Sequence, residues 1–344
     1  MRKLLQYLLK RPLTWMANKL AASPKQEIVY KSLSLLYQRT IEQKAADVQL
    51  LEFDPSEQKF IIFSDQHKGN KSWADDFNQS EPNYIAALEY YNSQQYNFIN
   101  LGDSEELWKF KPGELLPQNE KTFKAEVAFY PERHFKTYGN HDIIWKDKFA
   151  VSFYLKKYYG TSPKILEGIV LRVKNAGSPL DIFLTHGHQG DLMSDNNWLS
   201  TWIVAHIWMP LQRYLRINVN SASTDFSLRN VHNKMMYGWS REQRNLLLIT
   251  GHTHSPVFAS GRYLDHPSNK IETTQPRETL LPTYFNTGCC CFDDGDITGI
   301  EISDGYMRLV KWTDRNMAPT RKILEEKEIS LLIKDMMDER AVRQ

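Results

Sequence analysis

Five short apolar runs punctuate the chain: KFIIFS (residues 59–64), YNFINL (96–101), RHFKTY (133–138), DIFLT (181–185) and LLLIT (246–250). Their length and near-continuous apolar character mark strands buried on both faces. Each leads into a cluster of Asp, Asn or His. Helical stretches separate them. Residues 80–92 place Tyr84, Leu88 and Tyr91 on one face, and a second helix is expected from Asp142 to Tyr159, ending at Gly160. Strand alternating with helix predicts parallel pairing in an α/β layered fold, with the ligand site at the carboxyl ends of the strands. Two Asp-Gly signals among alternating apolar residues predict a hairpin of Ile297–Ile302 and Tyr306–Trp312, so the sheet has an antiparallel part. The pattern divides the chain into a helical N-terminal extension (1–50), a main domain (51–315) with an insertion (189–245), and a charged helical tail (316–344), its helix starting near Arg321.

Composition narrows the classes. With 41% hydrophobic and 24% charged residues, the 344-residue chain has the mix of a globular protein with a buried core. The 43 basic and 41 acidic residues are interspersed, so no global field favours a polyanion, and a long nucleic acid is not an expected partner. Cys289, Cys290 and Cys291 are consecutive, too close for ordinary disulfide geometry and without the spaced pairs of a structural zinc site. They are expected to be reduced, packed thiols, which favours the cytoplasm. No apolar run reaches the roughly 18 residues of a membrane span. Leu4, Leu5, Leu8 and Leu9 form a stripe beside Arg2, Lys3, Lys10, Arg11 and Lys19. That segment reads as a helix packed on the protein's own body, with peripheral contact at the inner face of a membrane as the competing reading.

The polar clusters carry the chemistry. They are Asp65 and His67 in SDQH, Asp103 in LGDSEE, Asn140 and His141 in YGNHD, His186 in THGH, and His252 and His254 in GHTH. One histidine at a strand end is usually a packing residue, but five strand ends that all carry metal-ligand types point to a shared site. Two cations about 3.5 to 4 Å apart repel, so a carboxylate bridging them lowers the cost while nitrogen and carbonyl ligands complete the shells. Imidazole and carboxylate without thiolate suit Mn, Fe, Zn, Co or Ni. The glycines of GD, GN and GH suit a backbone that turns sharply off a strand and passes close to a phosphate. His188 is a candidate for an outer or substrate contact. Glu106 is either a functional carboxylate or a charge at a helix start. Asp142 either orients His141 or sits at a helix N-terminus for the dipole's sake.

In order, D-x-H, G-D-x-x-E, G-N-H-D, H-G-H and G-H-T-H resemble the five motifs of calcineurin-like metallophosphoesterases, from about Lys59 to Trp312. The resemblance implies a four-layer α/β/β/α sandwich with mixed sheets and a dinuclear metal site at its edge. It implies two divalent ions, manganese among the candidates: one held by Asp65, His67 and His254, the other by Asn140, His186 and His252, with Asp103 bridging. His141 is the implied catalytic histidine, with Asp142 beside it. The implied reaction is hydrolysis of a phosphate ester or phosphoanhydride by in-line attack of a hydroxide bridging the two ions.

The insertion is rich in aromatics (Trp198, Trp202, Trp208, Tyr214, Tyr237, Trp239), interleaved with Arg213, Arg216, Lys234, Arg241 and Arg244. It is expected to be a helical cap, either packing on the core or closing over a substrate whose phosphate its cations take, Arg213 and Arg216 first among them. Its position, with GDSEELW, resembles the lipid A pathway pyrophosphatases that hydrolyse UDP-diacylglucosamine. Where one major branch of those enzymes has G-N-R-D this chain has G-N-H-D, and the N-terminal extension lies outside their pattern. The expected substrate is therefore a UDP-linked or lipid-linked pyrophosphate, or another phosphomonoester or diester, with the cap or the N-terminal helix as the membrane contact. Two other readings compete. A non-catalytic scaffold, as in a retromer subunit resembling this family, is disfavoured by the intact motifs; a nuclease is disfavoured by the charge balance.

Overall fold

The computed structural model describes residues 25–174, 180–190, 226–260, 281–315 and 317–343. In chain order its main elements are α1 (Gln26–Ile41), β1 (Val48–Phe53), β2 (Phe60–Phe63), α2 (Glu81–Ser93), β3 (Asn97–Leu101), α3 (Glu120–Val127), β4 (His134–Thr137), β5 (Ile165–Leu166), β6 (Gly168–Val173), β7 (Leu180–Thr185), α4 (Phe226–Glu242), β8 (Leu246–Thr250), β9 (Tyr284–Asn286), β10 (Ile297–Ser303), β11 (Tyr306–Thr313), β12 (Thr320–Glu328) and α5 (Ile329–Arg343).

The strands form two sheets, one ordered β12-β11-β10-β2-β3-β4-β5 and the other β1-β6-β7-β8-β9. Side chains alternate across each strand, and the alternation explains the layering. Phe60 and Ile62 of β2, Ile169 and Leu171 of β6, Ile182 and Leu184 of β7, and Leu247 and Ile249 of β8 meet in one core between the sheets. The alternate residues face outward onto helices. Ile61, Phe63 and Phe98 pack with Tyr84, Leu88 and Tyr91 of α2. Val170, Phe183 and Leu248 pack with Val29, Leu33 and Leu36 of α1 and with Met235, Met236 and Trp239 of α4. The result is the expected four-layer α/β/β/α sandwich. Strands buried on both faces need the near-continuous apolar runs that the sequence displays. The expected parallel pairs β2/β3/β4 and β7/β8 are present, as is the antiparallel hairpin β10/β11.

Four features differ from the sequence reading. Residues 26–53 are not an extension: α1 covers the second sheet and β1 pairs in parallel with β6, so the domain begins before residue 50. The C-terminal tail opens as a strand. β12 pairs antiparallel with β11 and only then gives way to α5; its alternating charges belong to an exposed sheet edge, where charge blocks further pairing. The helix expected over residues 142–159 is broken into a 3-10 turn (Ile143–Lys146), a helical turn (Lys148–Ala150), a π-turn (Val151–Leu155) and a last turn (Lys156–Tyr159). Extended backbone at Asp147 interrupts it, and the Asp147 carboxylate restarts the helix by accepting from Phe149 N at 2.8 Å. Finally, α4, read as part of the cap, forms part of the outer helical layer. Residues 1–24 and 191–225, with Arg213 and Arg216, lie outside the described residues.

Candidate metal centre

The site is assembled where strands of both sheets end. Beyond β2 and β3 the two loops stay zipped: Asp65 N donates to Gly102 O (3.1 Å), His67 N to Asp103 O (3.0 Å), Lys68 N to Ser104 O (2.9 Å), and Glu106 N to Lys68 O (3.0 Å). Beneath them is a network that the sequence reading did not find. Lys68 Nζ meets Glu126 (2.6 Å) and Glu105 (3.1 Å), Lys136 Nζ meets Glu105 (3.1 Å), and Trp145 Nε1 donates to Glu105 Oε2 (2.7 Å), all fully buried. Each of these charges has partners of opposite sign, as burial requires. Lys68 follows His67 and Glu105 precedes Glu106, so the network fixes both loops from below.

The loops hold their key residues in an unusual backbone state. Asp65, His67, Asp103, His252 and His254 all have positive φ, between 49° and 69°. This left-handed region costs a non-glycine residue about 1 to 3 kcal/mol, and here it turns the five side chains into one pocket. Gly139 has a tighter reason: a Cβ there would run into Asp103, so the GN glycine serves close packing of two loops.

Within the pocket, potential ligand atoms fall into three sets, each within 4.8 Å: His67, His254 and Cys291; His67, Asp103 and His141; and Asp103, His186 and His252. His254 Nε2 lies 3.0 Å from His67 Nε2 and 3.3 Å from Asp65 Oδ1. His67 Nε2 is 3.7 Å from Asp103 Oδ2, and His186 Nε2 is 3.1 Å from the same oxygen. Asp103 thus faces both halves. His186 Nδ1 donates to Leu101 O at 2.9 Å, which fixes its tautomer, while its Nε2 makes no hydrogen bond. Asn140 Oδ1 is likewise buried without a partner. Unpaired buried acceptors are costly unless something else satisfies them, so this donor set fits divalent cations.

The field of the pocket favours positive charge. Burial alone would push His186 and His254 down, but Asp103 for the first, and Cys291 and Asp65 for the second, raise both to about 9. Burial would raise Asp65 and Asp103, yet the surrounding imidazoles hold both well below the ordinary carboxylate range.

Glu106 is the carboxylate that the sequence reading left open, and it stands in the site. Its Oε1 is 3.0 Å from His141 Nδ1 and its Oε2 is 3.2 Å from His67 Nδ1. An ionised carboxylate only accepts, so both rings carry hydrogen on Nδ1 and present Nε2 to the pocket. Trp108, at the end of the GDSEELW loop, stacks on His141 at 4.0 Å and donates its Nε1 to Asn140 O. Asp142, proposed beside His141 as catalytic, has no such place. Its carboxylate accepts from Gly139 N (2.6 Å) and Ser104 N (2.8 Å), tying two loops together, and burial raises it to about 6.

His188 is buried, with its ring 5.5 Å from His186 and 5.8 Å from Tyr138, and it belongs to none of the three ligand sets. The cysteines are free and buried as expected, but Cys291 Sγ comes within 3.8 Å of His254 Nδ1, which only the fold could reveal. α4 also reaches the site: His232 Nε2 donates to Gly187 O at 2.7 Å with its ring 5.1 Å from His252, and Asn233 Oδ1 accepts from Thr253. A histidine inside a helix with no neighbouring motif gave no signal for this.

No curated protein matches the chain in sequence. Among solved structures it is similar to a dimetal phosphatase from Danio rerio, at 8% identity over 79% of this chain and 100% of that one, with a TM-score of 0.41. It is also similar to vacuolar protein sorting 29 from Cryptosporidium parvum (11%, 79% and 98%, TM-score 0.35), and to the zinc complex of that protein from Entamoeba histolytica (14%, 79% and 99%, TM-score 0.33). Residues 58–256, more than half of the chain and spanning all five motif loops, match the calcineurin-like phosphoesterases, and the chain belongs to that family.

Proposed function

We propose that the protein is a hydrolase of phosphate esters or phosphoanhydrides that works with two divalent cations. The observation that carries this reading is the convergence of Asp65, His67, Asp103, His186, His252 and His254 in one pocket with the buried, unpartnered Asn140 Oδ1. Asp65, His67 and His254 would hold one cation, Asn140, His186 and His252 the other, and Asp103 both. When bound, such ions neutralise phosphoryl oxygens and acidify water.

The chain's own residues supply the rest. Glu106 accepts from His141 Nδ1–H and so directs Nε2 into the pocket; the doubly protonated ring, its charge balanced by Glu106, would pass its Nε2 proton to the leaving oxygen and return to the Nδ1–H form. Trp108 fixes the plane of that ring. Glu106 also sets the tautomer of His67, leaving its Nε2 lone pair for a cation. The Lys68–Glu105 layer holds both loops, so none of these groups has to reorganise during reaction.

The finer reading is a UDP-linked or lipid-linked pyrophosphate as substrate, supported by the aromatic and basic sequence of residues 189–245. Reconstitution with manganese, zinc or cobalt, metal analysis, and assay against nucleotides, sugar phosphates, phosphopeptides, UDP-linked lipids and a chromogenic diester test both levels. About two metals per chain and turnover are expected. Asp103→Asn should lose metal and activity together, whereas His141→Ala should keep its metal and lose roughly a hundredfold or more in turnover. A folded, metal-loaded protein inert towards the whole panel would refute the proposal.

A further inference from the structure

The broken helical segment that follows the third motif carries its hydrophobicity on the wrong side for folding alone. Ala150, Val151, Leu155 and Tyr159 are buried and anchor it in a core cluster with Leu115, Phe123 and Trp145. On the opposite side Phe149 is 85% exposed and Phe153 79%. Phe153 lies edge-on against Tyr154 at 4.8 Å. Lys146, Lys148, Lys156 and Lys157 are exposed along the same segment, Lys146 with its ammonium over the Tyr138 ring (5.8 Å) and Lys157 with its own over Tyr158 (5.5 Å). Asp147, the one acidic residue of the stretch 146–157, accepts from the backbone of Phe149. The chain as a whole carries a net charge of only +2, so four lysines against one acid are a local concentration.

We propose that Phe149 and Phe153, with the exposed Lys146, Lys148, Lys156 and Lys157 of the same segment, dock the protein on an anionic lipid bilayer. Two aromatic rings flanked by long cationic side chains match the boundary of a membrane, where rings enter the acyl region and ammonium groups meet phosphate. A second copy of the chain fits less well, because a two-fold contact would set lysines against lysines. The docking does not rest on the catalytic reading. Its consequence for that reading is positional: the surface begins four residues after Asp142, whose carboxylate ties Gly139 to Ser104 beneath the pocket.

The test is sedimentation of the full chain with vesicles of phosphatidylcholine alone and of phosphatidylcholine carrying about a quarter phosphatidylglycerol. Binding to the anionic vesicles is expected. F149S/F153S and, separately, K148E/K156E should each lower the partition coefficient by roughly tenfold or more, with the unfolding temperature unchanged. The N-terminal 24 residues are present in every variant, so the difference reports on this surface alone. Wild-type protein that ignores anionic vesicles overturns the proposal, as does retention of wild-type binding by either variant. A dimer in solution that F149S/F153S dissolves without altering vesicle binding would make the face a self-association surface and would also overturn it.

Discussion

At the scale of single residues, the site is governed by which carboxylate faces which ring. Asp142 follows His141 in sequence, but its oxygens are spent on the amides of Gly139 and Ser104. Glu106, 35 residues away, is the group that reaches His141 Nδ1, and it reaches His67 as well. Sequence proximity pointed at the wrong acid because contact here is set by β3 and β4 lying side by side in parallel. Glu106→Gln keeps the size of the side chain but removes the charge that favours Nδ1–H on both rings. It should lower kcat by about 10- to 100-fold and weaken metal retention to a similar degree. Steady-state kinetics with metal analysis after dialysis check this, and wild-type retention of metal by the variant would show that His67 does not depend on Glu106. Trp108→Ala should lower kcat more than it lowers metal content, since its ring stacks directly on His141.

At the scale of elements, what could be read locally depended on burial. β2, β3, β7 and β8 were visible because buried strands are mostly apolar, whereas β4, with the sequence HFKT, was marked chiefly by the motif loop that follows it. The three-residue β9 and the charged β12 were not visible, since one is too short for a period and the other acquires its identity from pairing with β11. The five motif loops were legible as a set; Glu105, Lys68, Lys136 and Glu126 were not, because buried charges look like surface charges until the fold brings them together. α4 shows the same dependence. Its aromatics read as a cap, yet Trp239 is buried between α1 and the second sheet, 6.0 Å from Phe183, with Nε1 donating to Ser34 Oγ at 3.0 Å. Trp239→Ala should cost about 3 to 5 kcal/mol in denaturant unfolding, the loss of a large core side chain and the cavity it leaves. A cost under about 1 kcal/mol, typical of surface sites, would mean that α4 is not an integral layer.

At the scale of the whole molecule, two sheets share one core and the five motif loops stand on its rim, so global stability and site geometry are linked. His134 offers a handle on the first that lies outside the ligand set. Its ring is stacked between Phe98 (5.2 Å) and Tyr159 (5.6 Å), with Nε2 unpartnered, and burial together with the positive Lys136 and Lys68 pushes it down to about 3. The folded protein therefore keeps this imidazole neutral, whereas the unfolded chain protonates it near the ordinary value of 6.5. Between those two values the unfolded state binds the extra proton, so stability falls as pH drops from about 6.5 towards 3, at up to about 1.4 kcal/mol per pH unit. Above 6.5 both states are neutral at this position and it contributes no slope. His134→Phe retains the stacked ring and removes the titration. The stability of the variant relative to wild type, from urea unfolding at a series of pH values, should be level above 6.5 and rise progressively below it. The metal-binding groups titrate alike in both proteins and cancel in that difference. A flat difference across the acid range would place the protonation of His134 at its unfolded value and show that water reaches the ring.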